Sequence, residues 1–374
     1  MFFDNASTTK IDVDILSASV ETNNELFYNP GGLYSSGRKV RGVIDKCRED
    51  ILNALNFQGK IVFTGSATEA NNLALFGSAR KNFKVLISMG EHPSVYNSAL
   101  ELKARGYDVD FIKLLPDGTV DIGDFELKMS KSVGLVSIMH VSNETGAIND
   151  IAKLVDIAKS VNPNVIFHCD GVQAVGKIEV DLDLLGVDMY TVSAHKIHGM
   201  KGVGALLYNS RLQLKPIVFG GGQESGLRSG TENLIAIKSL SEAVVKAVAN
   251  QKNNYNHVKA LRDRFVELLS ESVIEYQQFS GDSYSPYIVS FGVKNCRAET
   301  ILNMLSDRGV MVGNGSACSS SKSGNRILES MGVAKQFIEG NIRVSFSKIN
   351  TIDEVEKFVS VLLEVVKLYL DKAR

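Results

Sequence analysis

Short apolar runs rich in Val, Ile and Phe recur along the N-terminal half of the chain, at 60–64, 84–88, 109–112, 135–141 and 164–167. Runs of this length without strict alternation suit strands covered on both faces. Helical patterning fills the intervals at 69–80, 94–105 and 150–161. Strand and helix in turn predict an α/β fold built on a mainly parallel sheet, with any ligand at the carboxyl ends of the strands. The stretch 234–270 reads as one long helix and a connector, 287–293 as a strand and 299–308 as a helix. Val355, Phe358, Val359, Leu362, Val366 and Leu370 then repeat at helical spacing. The expected organisation is a large α/β domain over 10–250 and a smaller α+β domain over 251–374, with residues 1–9 packed on the latter.

At 374 residues the chain has room for about two domains and a sizeable core. It contains no run of about 18 apolar residues, which excludes a membrane-spanning helix. Asp4 stands where a secretory signal needs basic and then apolar residues, so a cytoplasmic location is expected. With 41 basic against 42 acidic residues, nothing points to direct nucleic-acid binding. Cys47, Cys169, Cys296 and Cys318 lie far apart, with no spacing that suggests a zinc site, and no metal is expected.

The candidate chemistry begins at Ser193-Ala194-His195-Lys196, between a short apolar run and a strand at 202–208. A lysine there can form a Schiff base with a carbonyl cofactor, or be a solvated surface group. Asp170 ends an apolar run, where it can hold the protonated ring nitrogen of pyridoxal phosphate or simply cap a helix. The segment 63–72 reads as strand, polar turn and helix start, which suits a phosphate as well as a capped helix with Glu69 in its first turn.

Together with Asp4-Asn5-Ala6-Ser7-Thr8-Thr9, Asn29-Pro30, Gly37-Arg38, Glu91-His92 and the runs 137–146, 168–173, 220–231, 315–318 and 342–346, these pieces follow one order. The chain resembles the cysteine desulfurases of the NifS/IscS branch, within the class V aminotransferase-like enzymes that use pyridoxal phosphate (PLP), and does so over nearly its whole length. The resemblance implies PLP-dependent transferase fold type I. It implies that Lys196 carries PLP, that Asp170 pairs with the pyridinium nitrogen and that Gln173 and Asn143 approach the phenolic oxygen. Ala67, Thr68, Ser193, His195 and Thr231 would hold the phosphate, Thr231 by reaching to the partner subunit's cofactor, so a homodimer is implied. His92 would stack on the ring and assist proton transfer. Arg343, with Asn143 beside it, would bind the substrate carboxylate.

Cys318 sets the reaction that the resemblance implies: its thiolate takes the sulfur of L-cysteine, leaving L-alanine and a persulfide. The persulfide would pass to an acceptor protein, an iron–sulfur scaffold or a thiolation enzyme. Asn314, Gly315 and the five serines of 316–323 predict an exposed, movable loop around it. The sequence departs from the branch at Gly31-Gly32, at Tyr34, where histidine is common, and at Gly313-Asn314. Rival readings are a selenocysteine lyase, an aminotransferase that would leave Cys318 unused, and a non-catalytic sulfur-assembly subunit. His140 and His168, in apolar strands, are expected to be satisfied core histidines.

Overall fold

The computed structural model describes residues 1–281, 283–315 and 325–373. In chain order the strands are β1 (Phe2–Phe3), β2 (Lys60–Thr64), β3 (Lys84–Ser88), β4 (Val109–Ile112), β5 (Val133–Ser137), β6 (Ile166–Asp170), β7 (Met189–Ser193), β8 (Gly204–Tyr208), β9 (Tyr276–Gln278), β10 (Ile288–Val293), β11 (Met311–Val312) and β12 (Asn341–Ser345). Seven of them form one sheet in the order β2-β8-β7-β6-β5-β3-β4. All its pairings are parallel except those of β8, which runs antiparallel to β2 and β7. The expected mainly parallel sheet is therefore present, with one reversed strand.

Side chains alternate across this sheet because successive residues of a strand point to opposite faces. Ile61, Phe63, Leu86, Val136, Ala205 and Leu207 pack with the helices Ser35–Ala54, Ile151–Val161 and Leu234–Ala249. Val62, Val85, Ile87, Leu135 and Leu206 pack with Ala67–Ser78 and Pro93–Ala104 on the other face. A further core joins Phe3 and Ala6 to residues of β10, β12 and the helices Gln251–Ser270 and Ile352–Ala373. The terminal helix buries Val355, Phe358, Val359, Leu362 and Val366, five of the six residues its spacing singled out, and leaves Leu370 half-buried.

Two expectations change. The stretch 234–270 is two helices, Leu234–Ala249 and Gln251–Ser270, separated at the exposed Asn250. The Asn250 side chain donates to Lys246 O at 2.8 Å, a local bond that competes with helix continuation. The strand expected at 135–141 ends at Ser137. Beyond it β3 has turned away, and Met139 N donates instead to the carboxylate of Glu91 at 2.6 Å.

The helix Ala67–Ser78 is pressed against β8 at Gly204, where a Cβ would lie 2.6 Å from Ala67 N and 2.7 Å from Ser66 C. Gly204→Ala is therefore expected to destabilise the protein by about 1–3 kcal/mol. By contrast, Gly42→Ala, at an exposed position of the helix Ser35–Ala54 with nothing within 4 Å, should stabilise it by about 0.5–1 kcal/mol. Thermal unfolding of the two variants checks the pair: equal melting temperatures would refute the close approach.

Candidate active site

The carboxyl ends of β2, β6 and β7 open into one cleft lined by Ala67, Thr68, His92, Asn143, Asp170, Gln173, Ser193, His195, Lys196 and Arg343. It occupies ≈ 1080 Å³, counting the space that opens to solvent. Ten of the residues singled out from sequence are thus brought together. Thr231 is not among the lining residues and is exposed. Cys318 lies outside the described residues, although Gly315, three positions before it, lines the cleft.

Ser66 caps the helix Ala67–Ser78 by accepting from Glu69 N at 3.2 Å, while Glu69 accepts from Gly65 N at 2.8 Å. The capped-helix reading and the anion reading are compatible here. Capping uses the third N–H of the helix, so those of Ala67 and Thr68 have no intrahelical acceptor and face the cleft with the positive end of the helix.

Asp170, the last residue of β6, accepts from Val172 N at 3.0 Å and from Asn71 Nδ2 at 2.8 Å. Asn71 Nδ2 also reaches Ser94 Oγ at 2.8 Å, and that hydroxyl lies 2.8 Å from His92 Nδ1. Ser94 N donates to the same His92 nitrogen at 3.1 Å, so Nδ1 is an acceptor and the neutral ring carries its proton on Nε2. Burial, aided by the charges of Lys196, Arg326 and Arg343, lowers the His92 pKa against the pull of Asp170. An imidazole kept neutral in this way can accept a proton during reaction.

Lys196 sits in the turn Ala194–Lys196 after β7, and its amine donates to the carbonyls of Ala6 and Ser7, each at 2.6 Å. Burial and the Arg343 charge bring its pKa down to about 8, opposed by Asp4 and Asp170. His195 is lowered to about 4 by burial and the neighbouring lysines. On β12, Arg343 donates to Asn143 O at 2.9 Å and to Asp4 Oδ1 at 2.7 Å, which leaves its Nε buried without a partner. Ser193 Oγ and Asn143 Oδ1 are likewise buried and unpaired.

Sequence reasoning passed over Asn71, Asp4 and Glu91 as individual residues, and missed Arg326 altogether. Glu91 is fully buried, and desolvation together with Asp170 holds its carboxyl well above the usual range. Arg326 donates to Glu91 O at 2.6 Å and stacks 3.9 Å over the Tyr96 ring. Arg326 and Glu91 lie too far apart in sequence for any local spacing to signal their pairing.

The geometry fits PLP. Two free N–H groups at a helix start and the unpaired Ser193 hydroxyl suit its phosphate, Asp170 its ring nitrogen, Lys196 its aldehyde, and the unpaired Arg343 Nε a substrate carboxylate. Among the described residues there is no cluster of His, Cys, Asp and Glu suited to a metal, and no helix long and apolar enough to cross a membrane.

A family profile described as Aminotransferase class-V matches residues 1–358, and the chain belongs to that PLP-dependent family. Within it the chain falls in the cysteine desulfurase branch that its sequence resembles. It is 36% identical to a protein named cysteine desulfurase IscS 1 of Archaeoglobus fulgidus, covering 98% of this chain and 97% of that one. It is 32% identical to cysteine desulfurase IscS of Dictyoglomus turgidum, covering 98% and 94%. A solved NifS-like protein superposes with a TM-score of 0.92 at 30% identity over 98% and 99% of the two chains. A structure titled SspA in complex with cysteine gives 0.80 at 27% identity over 94% and 99%.

His140 and His168 are buried near this site and hydrogen-bonded, to Tyr190 in one case and to Ser137 and Thr191 in the other. Burial lowers each to about 4. Below pH ~6.5 the unfolded chain takes up these protons while the folded chain does not, so their stability contribution is present above 6.5 and lost as pH falls toward 4. Urea unfolding between pH 7.5 and 4.5 should show a loss approaching about 3 kcal/mol per histidine, reduced in His140→Asn. A flat profile in both proteins would contradict it.

Proposed function

We propose that the protein is a cysteine desulfurase, which converts L-cysteine to L-alanine and retains the sulfur on Cys318. The observation that carries this reading is the convergence of Lys196, Asp170, His92 and Arg343 on one cleft, in a chain of the class-V family. PLP supplies, when bound, an aldehyde for the substrate's amine and a ring that accommodates the electrons released at Cα. Asp170 holds a proton at the ring nitrogen, and the helix start at Ala67 and Thr68, with Ser193 and His195, holds the phosphate. The Arg343 guanidinium takes the substrate carboxylate through its free Nε, while Asp4 and Asn143 O fix its orientation.

Lys196, with a pKa brought down to about 8, has an amine able to take and return the proton at substrate Cα near neutral pH. The Cys318 thiolate attacks the substrate sulfur: the Cβ–S bond breaks, an S–S bond forms, and Cβ takes up a proton on the way to alanine. The three other cysteines are buried, and burial raises each of their thiol pKa values, which suits them to structure rather than to attack. Gly315 is three positions from Cys318, a chain length of at most about 11 Å.

The sulfur passes from Cys318 to an acceptor protein, an iron–sulfur scaffold or a thiolation enzyme. The working form is a homodimer in the cytoplasm. The exposure of Phe27 at 70%, Leu33 at 90% and Phe219 at 81% supports a subunit contact. Exposed Thr231 would serve the partner's cleft rather than its own, and the free thiols suit a reducing compartment.

Alanine and sulfide production from L-cysteine with a thiol reductant tests the reading. Wild type should yield the two in equal amounts, and Cys318→Ala should lose about 100-fold or more of the rate while keeping its cofactor absorption. A Cys318→Ala variant as active as wild type would overturn the role of Cys318 and favour the selenocysteine lyase reading. Absence of the cofactor band in wild type would overturn the site.

A further inference from the structure

Lys177 is buried at 6% exposure, and among the described residues no carboxylate pairs with it. The charges that act on it, Lys196 and Arg343, are both positive, and with burial they bring its pKa down to about 7. A lysine that only filled space would be better replaced by an apolar side chain. Among the described residues its ammonium has one hydrogen-bond partner, the Oε1 of Gln173, to which it donates. Gln173 Nε2 in turn donates to Ala6 O at 2.9 Å, and Ala6 O also accepts from Lys196 Nζ at 2.6 Å.

The remaining surroundings of Lys177 offer its ammonium little else. The Tyr287 ring lies 5.8 Å away, and the cavity behind Lys196 is lined by His198, Lys246, Lys348 and Asn254. Among the described residues no carboxylate lines that cavity, and Asp12 beside it is already shared by Lys246 at 2.8 Å and Lys348 at 3.4 Å. An amide presents one oxygen and two N–H groups. With Oε1 given to Lys177 and one N–H to Ala6 O, the second N–H of Gln173 is left for the cleft that this residue lines. A flipped amide would set N–H against ammonium and oxygen against carbonyl, two repulsions in a buried place.

We propose that Lys177 is a positioning residue: it locks the Gln173 amide so that an N–H, and not the oxygen, faces the cleft, which selects an anionic oxygen on the bound cofactor at that point. This rests on the reading of the cleft as a PLP site. Lys177 acts from behind Gln173 and touches neither substrate nor cofactor.

The test uses the intact protein, loaded with PLP or stripped of it. In Lys177→Met, PLP affinity measured on the stripped protein should fall about 10- to 100-fold, and the pH midpoint of the bound cofactor's absorption should move up by about one unit, since the anionic oxygen loses its donor. Lys177→Arg, which keeps a charged donor, should recover most of both. Combining Lys177→Met with Gln173→Leu should give no further change over Gln173→Leu alone, because the lysine acts through that amide. Gln173→Glu keeps a partner for Lys177 but loses the donation to Ala6 O and offers no N–H to the cleft, so it should bind PLP as weakly as Gln173→Leu. That variant decides the matter if Lys177→Met does not fold. Wild-type affinity and midpoint in Lys177→Met or Gln173→Glu, or additive losses in the double variant, would overturn the proposal. Failure of wild type itself to bind PLP would instead sink the site reading beneath it.

Discussion

The Asp170 carboxylate is buried at the carboxyl edge of a parallel sheet, and much of the cleft is arranged to satisfy it. A buried carboxylate without partners costs several kcal/mol, on the order of 3–5 when one partner of a pair is removed. Here the donors come from two directions: Val172 N in the turn that follows, and Asn71 from the helix Ala67–Ser78. Because Asn71 lies on the helix whose first N–H groups face the cleft, the bond that satisfies Asp170 also fixes the rotation of that helix. Gly204 then lets β8 approach the start of the same helix closely. One carboxylate therefore aligns the anion-binding end of the site with its ring-binding end, and through Ser94 it orients His92 as well.

The N-terminal segment is the second tie. Phe3 is anchored in the core of β10, β12 and the terminal helix, while the next residues run across to the large sheet. Asp4 neutralises Arg343, and the Ala6 and Ser7 carbonyls accept from Lys196. A guanidinium on one core and an amine on the other are thus set against each other by the short turn 4–7, closed by Ser7 N donating to Asp4 O at 3.1 Å. Their separation is fixed without a direct contact between two like charges, a contact that would be repulsive in a buried place.

What could be read in the sequence was whatever depends on neighbours along the chain. β2, β3 and β4 fall at the positions of their apolar runs because burial on both faces demands continuous apolar residues. Lys196 and Asp170 were visible because each stands at the edge of such a run. Asn71, Glu91 and Arg326 were not, since their partners are distant in sequence: Asp170 for Asn71, Met139 N for Glu91, the β3 turn for Arg326. No periodicity encodes a pairing of that kind. The helix break at Asn250 turned on one side-chain bond to Lys246 O, too small a signal against two strongly helical flanks. Thr231 was placed by resemblance alone, and it lies exposed outside the residues that line the cleft.

The charges left over show what such a cleft can accept. Lys196 and Arg343 are set against Asp170 and Asp4, and His195 is held neutral by burial. Protein charge around the cleft is thus close to balanced, while unpaired donors remain at Ser193 Oγ, at Arg343 Nε and at the helix start. A cleft whose charges cancel but whose donors do not is suited to an anion held by directed hydrogen bonds and a helix end rather than by a general positive field. Two such donor groups, at opposite ends of one cleft and joined by a lysine and an aspartate, match a ligand that carries phosphate at one end and carboxylate at the other. The amine that links them has a pKa close enough to neutrality to exchange its proton there.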